Sequence, residues 1–309
     1  MTRRCLATAL SVLIILATLV AGPLPAAALA PVQVVTGYTH TCALAPSGQA
    51  YCWGANWSGQ LGDNTTNQRP TPVAVQQPTG VTFTSLAAGS DQSCGLTGAG
   101  AVWCWGANDH GQLGDNTTAE RDVPVAVQQG GVTFTSITAG NAHTCGLTSG
   151  GAAYCWGANW FGQLGDGTTT TERHTPVAVQ QGGVTFTSTT AGEGHTCGLT
   201  SAGAAYCWGD NDNGRLGDNT TTGRSTPVAV QQGSATFTSI TGGRHHTCGL
   251  TSAGAGYCWG YNLYGQLGDN TTTDRWLPVV VQQGGVTFSS ITAGVDHTCG
   301  LTSAGAAYC

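Results

Sequence analysis
The stretch His-Thr-Cys-Gly-Leu-Thr-Ser-Ala-Gly-Ala-Ala-Tyr-Cys-Trp-Gly, residues 195–209, decides the fold because it recurs with small changes along the chain. Its cysteines fall in six pairs: Cys42 with Cys52, Cys94 with Cys104, Cys145 with Cys155, Cys197 with Cys207, Cys248 with Cys258 and Cys299 with Cys309. The members of each pair are ten positions apart, and successive pairs lie 51 or 52 residues apart. A fixed period near fifty marks an architecture in which one supersecondary unit is copied and stacked. Residues present in every copy are then expected to build the unit, and function is sought among those that vary.

The third copy shows what the unit is. Val132 to Ala139 is rich in β-formers and stops at Gly140, so a first strand is expected there. His143 to Thr148 and Ala152 to Trp156 read as strands two and three around the Ser149-Gly150-Gly151 turn. A long loop follows, then a short fourth strand opening at Pro176, where a missing N–H costs least. A hairpin centred on Gly150 sets Cys145 opposite Cys155, close enough for a disulfide. Leu147 and Ala153 share one face of that hairpin, while Tyr154 and Trp156 share the other. A sheet apolar on both faces must sit between neighbours, as the blades of a propeller do.

The first thirty residues stand apart. Arg3-Arg4, the apolar run Leu6 to Gly22 and a small-residue tail ending at Ala28 or Ala30 make a signal peptide, cleaved after one of those alanines. Residues 31–309 then hold five full repeats and part of a sixth. Of thirteen cysteines only Cys5, inside the leader, is unpaired. An even set in an exported chain implies disulfides and a secreted or cell-surface location. Zinc is the alternative, and it needs clustered ligands such as C-x-x-C that the chain does not supply. The chain carries no lysine, and without Arg3 and Arg4 its net charge moves from −6 to −8. That excludes the basic footprint of a nucleic-acid binder. No membrane span is expected in the mature chain.

The motif Trp-Gly-x-Asn-x-x-Gly-Gln-Leu-Gly occurs at Trp53, Trp105, Trp156 and Trp259, and at Trp208 with Arg215 in place of the glutamine. With the preceding cysteine hairpin it resembles the repeat of the regulator of chromosome condensation family, from Val32 to Cys309. The resemblance implies a seven-bladed β-propeller that acts by binding proteins; secreted bacterial members include a beta-lactamase inhibitor protein. The eukaryotic founder is a nuclear exchange factor for a small GTPase, an activity against which an exported chain without a basic arm argues. Seven repeats at this period need roughly 360 residues. The expectation is therefore about five and a half blades, with Trp-Gly next after Cys309.

Two recurrent polar residues invite a site reading. The histidine two before the first cysteine of each pair recurs at His40, His143, His195, His246 and His297, with Gln92 in copy two. Tolerance of glutamine favours a side chain that satisfies turn backbone over a metal ring. Asp63, Asp115, Asp166, Asp218 and Asp269 follow Leu-Gly. Calcium loops need several acidic oxygens, so each aspartate is expected to cap its own turn. Signatures of hydrolases, zinc proteases and phosphate loops are missing, so no catalytic residue and no cofactor is assigned.

Two windows vary from copy to copy. One follows the first strand and includes Glu193 and Arg244. The other follows Trp-Gly-x-Asn and includes Trp57, Asp109, His110, Trp160, Phe161, Asp212 and Tyr264, with Tyr261 just ahead of it. In an up-and-down blade both windows reach the same rim. Aromatics among a few charges are what protein-binding hot spots are made of. The expected function is a non-enzymatic propeller that holds a protein partner on this rim. A carbohydrate-binding or hydrolytic propeller and a nucleotide exchange factor are the alternatives.

Overall fold
A computed structural model describes residues 30–309; the expected signal peptide, Ala30 apart, lies outside them. Six antiparallel sheets follow one another along the chain. Blades one to five span Gln33–Ala74, Phe83–Ala126, Ser136–Ala178, Ser188–Ala229 and Phe237–Val280, each with four strands in sequence order. Blade six, Ser290–Tyr308, has three. The architecture is an all-β propeller. The described residues form six blades where the resemblance implied seven, because each sheet takes up one repeat and 31–309 holds six cysteine hairpins. The partial sixth repeat is nearly a whole blade. Among the described residues no helix is long and apolar enough to cross a membrane.

Blade three corrects the expected strand limits. Its strands are Ser136–Ala139, His143–Leu147, Ala153–Gly157 and Arg173–Ala178. The first is shorter than its β-formers suggested, starting only at Ser136, although the equivalent strands of blades two and five begin at Phe83 and Phe237. The fourth begins three residues before Pro176, with a bulge between Cys155 and Gly157 in the strand it pairs with. Proline is tolerated inside it because the strand is the outer edge of its sheet.

Each hairpin of blades one to five pairs its cysteines directly across the two strands, as Cys145 against Cys155. All six expected bridges form: Cys42 to Cys52, Cys94 to Cys104, Cys145 to Cys155, Cys197 to Cys207, Cys248 to Cys258 and Cys299 to Cys309, with Cα atoms 4.1–4.2 Å apart. Cys52, Cys104, Cys155, Cys207 and Cys258 are fully buried, so these bridges belong to the core and take no part in a binding surface. The sixth bridge differs, because Cys309 is exposed.

The core lies between blades, as the two apolar faces require. Cys145, Leu147 and Cys155 of blade three pack with Trp208 of blade four, while Trp156 of blade three packs among Cys94, Leu96 and Leu113 of blade two. One close contact explains the glycine in His-Thr-Cys-Gly-Leu. A Cβ on Gly146 would sit 2.6 Å from the Phe134 ring. Gly95, Gly198, Gly249 and Gly300 meet Phe83, Phe186, Phe237 and Phe288 in the same way. Blade one has no such phenylalanine, and there the residue is Ala43.

The recurrent histidines bind blade to blade; they do not serve the turn backbone as expected. His143 Nε2 lies 3.0 Å from Thr196 Oγ1 of the next blade, and that hydroxyl donates to the Gln163 carbonyl at 2.9 Å. Since the hydroxyl proton is used, Nε2 must carry the hydrogen it shares with Thr196. His40–Ser93, His195–Thr247 and His246–Thr298 repeat the contact. Trp208 Nε1 donates to the same Gln163 carbonyl at 2.9 Å. Gln92 substitutes by donating to the Gly140 carbonyl at 3.1 Å. The aspartates do cap their own loops: Asp166 accepts from Thr168 N and Oγ1 and pairs with Arg173 at 2.7 Å.

Candidate functional site
Up-and-down strands bring the ends of strands one and three to one rim. The loops at that rim are built in two tiers. Around the axis, the glycines closing the first strands (Gly37, Gly89, Gly140, Gly192, Gly243 and Gly294) surround a funnel of about 260 Å³. Tyr38, Ser90, Asn141, Glu193, Arg244 and Val295 line its mouth. Farther out stand the tongues that follow Trp-Gly-x-Asn. Each tongue is braced by its own asparagine: Asn108 Oδ1 accepts from Leu113 N at 3.0 Å, and its Nδ2 donates to Asp115 and Ala119. Asn56 is buried in this role, so its Asn-Trp-Ser sequon cannot be an exposed acceptor.

The tongues lean on the following blade. Gly59 packs against Asp122, Gly111 against His174, Gly162 against Ser225 and Gly214 against Trp276. Backbone bonds fix the contact, for example Asn116 N to the His174 carbonyl at 2.9 Å. This creates a third variable window that the sequence reading missed, beside the recurrent Arg121, Arg173, Arg224 and Arg275. The signal was available: residues flanking those arginines change from copy to copy while the arginine does not.

Seven of the ten expected site residues fall into three groups. His110, Trp160 and Phe161 come together: the His110 and Trp160 rings meet edge to face at 4.5 Å, and Phe161 lies against Trp160. Glu172, from the missed window, lies 2.7 Å from His110 Nδ1. At the funnel Glu193 pairs with Arg244, with His245 nearby. The hydrogen bond to Glu193 raises the Arg244 pKa above its ordinary value, while burial lowers that of His245. The third group is Tyr261 edge to face with Tyr264, and His245 against Tyr261. Trp57, Asp109 and Asp212 are exposed on the tongues of blades one, two and four.

Arg215 is no site residue. Its guanidinium is buried and pairs with Asp210 at 2.8 Å. Asp210 stands where other copies have Ala55, Ala107 and Ala158, so two departures from the repeat compensate each other. Burial lowers the Arg215 pKa, opposed by Asp210, Asp212 and Glu193. No group of three or more metal-ligating side chains is placed to hold an ion among the described residues.

The tongues of blades one, three and four each accept the next blade's indole on a carbonyl, from Trp105, Trp208 and Trp259. The RCC1-like domain profile matches residues 16–309. The chain belongs to the RCC1-like domain family. This RCC1-like domain is 34% identical over 255 residues to the ultraviolet-B receptor UVR8 of Arabidopsis thaliana, covering 81% of this chain and 58% of that protein. It is 36% identical over 203 residues to the probable E3 ubiquitin-protein ligase HERC4 of Homo sapiens, covering 65% of this chain but 19% of that one. The chain thus spans less than two thirds of either relative. Among solved structures, human WBSCR16 superposes with a TM-score of 0.78 at 23% identity, over 87% of this chain and 71% of that one. Prp20p of Saccharomyces cerevisiae, studied for its binding to Gsp1p and histones, gives 0.76 at 23% identity, over 87% and 67%. At that identity the two structures speak for the fold alone.

Proposed function
We propose that this RCC1-like domain is a non-enzymatic, secreted or cell-surface propeller that holds a protein partner on the rim carrying its variable loops. The observation that carries the reading is the exposure of large aromatics there: Trp57 is 52% exposed, Trp160 42%, Phe161 44% and Tyr264 67%. Water-exposed rings of this size, mounted on braced tongues, supply contact area with little entropy to lose on binding. The contacting residues are Trp57, Asp109, His110, Trp160, Phe161, Glu193, Asp212, Arg244, Tyr261 and Tyr264. Glu172, Asp274 and Trp276 from the third window extend the set. The buried disulfides support an oxidising compartment. An exchange factor working in the cytosol would keep those thiols reduced.

The test is capture of partners from the protein's own extracellular milieu by the wild type and by the Trp57→Ala, Trp160→Ala, Tyr264→Ala triple variant. The variant should fold and lose the captured species. Retention of the same species at the same yield would refute the assignment. Cell fractionation with thiol counting checks the location.

A further inference from the structure
The two rims of the propeller differ in charge as completely as they can. The turns between strands two and three, such as 148–152 and 200–204, contain no arginine, aspartate or glutamate. Neither do the links between blades, such as 127–135 and 179–187. All fifteen acidic residues lie in the other rim's loops or at the start of a fourth strand, together with the seven arginines that remain without Arg3 and Arg4. One rim is neutral and the other carries a formal −8.

Every arginine on the acidic rim is already paired. Five clamp the loop aspartates of their own blades, as Arg173 clamps Asp166. The other two pair with Asp210 and Glu193. Eight carboxylates are left without an arginine. Asp91, Asp109, Glu120, Asp122, Asp212 and Asp296 are exposed or half-buried on the rim. The last two, Glu172 and Asp274, stand next to the exposed rings. Glu172 holds His110, which touches Trp160. Asp274 accepts from Asn262 N at 2.8 Å, beside Tyr261 and Tyr264.

We infer that the partner of this rim is a basic polypeptide surface, whose arginine and lysine side chains lie on the exposed rings and reach the carboxylates that have no arginine of their own. The inference rests on the proposed function and narrows it. A cation over an aromatic face gains from the ring quadrupole, and a carboxylate beside the ring adds a charged acceptor. A concentrated field of one sign steers an oppositely charged partner and raises its on-rate by roughly 10- to 1,000-fold at low salt. The same field repels nucleic acid and anionic lipid. The neutral rim offers a cation nothing.

The experiment measures binding of the purified protein to labelled synthetic peptides of equal length, one arginine-rich and one glutamate-rich, with spermine as competitor. The arginine peptide should bind and weaken by about tenfold from low to physiological salt, as screening of exposed charges requires. Asp109→Asn, Asp212→Asn and Asp296→Asn together should weaken it about tenfold, by removal of steering charge. Trp160→Leu, at unchanged charge, should weaken it by a further factor of roughly three. The inference is overturned if neither peptide binds, or if both bind alike. It is also overturned if Trp160→Leu has no effect while spermine competes fully, which marks plain polyelectrolyte attraction. Should the asparagine variant still capture the natural partner that the aromatic triple variant loses, the rim binds a protein but not a basic one.

Discussion

Lowering the pH from 7 to 5 should cost the propeller several kcal/mol of stability, and the histidines between blades are the cause. His40, His143 and His246 are buried, and desolvation brings each from an ordinary 6.5 down to about 4. At His40 a backbone contact with Ser90 opposes the shift in part. His195 is lowered too, first by burial and then by Arg215 and its histidine neighbours. The geometry agrees, since Nε2–H is engaged with the next blade's hydroxyl while Nδ1 of His143, His195 and His246 is buried without a partner. A second proton on Nδ1 would have no acceptor. Between pH 6.5 and 4 the unfolded chain therefore binds more protons than the folded one, so stability is full above 6.5 and falls with pH. At about 1.4 kcal/mol per pKa unit, each of the three loses about 2 kcal/mol by pH 5. Together they lose about 6 kcal/mol and His195 adds to it, against a usual total of about 5–15 kcal/mol. Denaturant unfolding at a series of pH values, with disulfides intact, measures the slope. Replacing His143 and His195 by glutamine, as Gln92 already does in blade two, should flatten it. Flat stability from pH 7 to 5, or a slope the glutamines leave unchanged, would refute the reasoning.

Gly146→Ala should cost about 1–3 kcal/mol, the usual penalty for overpacking, because its methyl meets the Phe134 ring at 2.6 Å. The melting temperature should recover in part when Phe134→Leu is added. Removing one staple as Cys145→Ala, Cys155→Ala should cost about 2–3 kcal/mol, the chain-entropy value for a loop of this length, read as a lower denaturant midpoint. Asp166→Asn should cost about 1.5–3 kcal/mol for a buried, charge-assisted set of bonds. Burial raises the Asp166 pKa, but bonds from Thr168 and Arg173 hold it below the ordinary value overall. Its contribution is thus present above about pH 4 and lost below, so wild type and variant should converge in strong acid.

The fold was legible because one strand pattern and one cysteine hairpin recur about every fifty residues, so a single copy reveals the unit. The cysteine spacing alone fixed the hairpin register, Cys145 against Cys155. What eluded the sequence depends on a neighbour one repeat away. The partner of His143 is Thr196, 53 positions on, and periodicity gives no sign of which copies touch. The third window was missed for the same reason, since Glu172 acquires its place only by reaching His110, 62 positions back. The fourth strand's early start follows from Arg173 pairing with Asp166, which outweighs the proline's preference for a strand terminus. Counting repeats gave five and a half blades, and the half proved to be a three-stranded sheet because Ser290–Tyr308 already holds three of a blade's four strands.

The phenylalanine and the glycine beneath it, Phe134 with Gly146, also limit how such a gene can be reshuffled. Both lie in one repeat, twelve residues apart. A crossover between two of blades two to six, anywhere in that interval, exchanges like for like and leaves the contact intact. A crossover there that joins a phenylalanine-bearing first strand to the segment holding Ala43 of blade one sets a methyl beneath a ring. Blade one can therefore be copied or moved as a whole, but its halves cannot be spliced freely with the others.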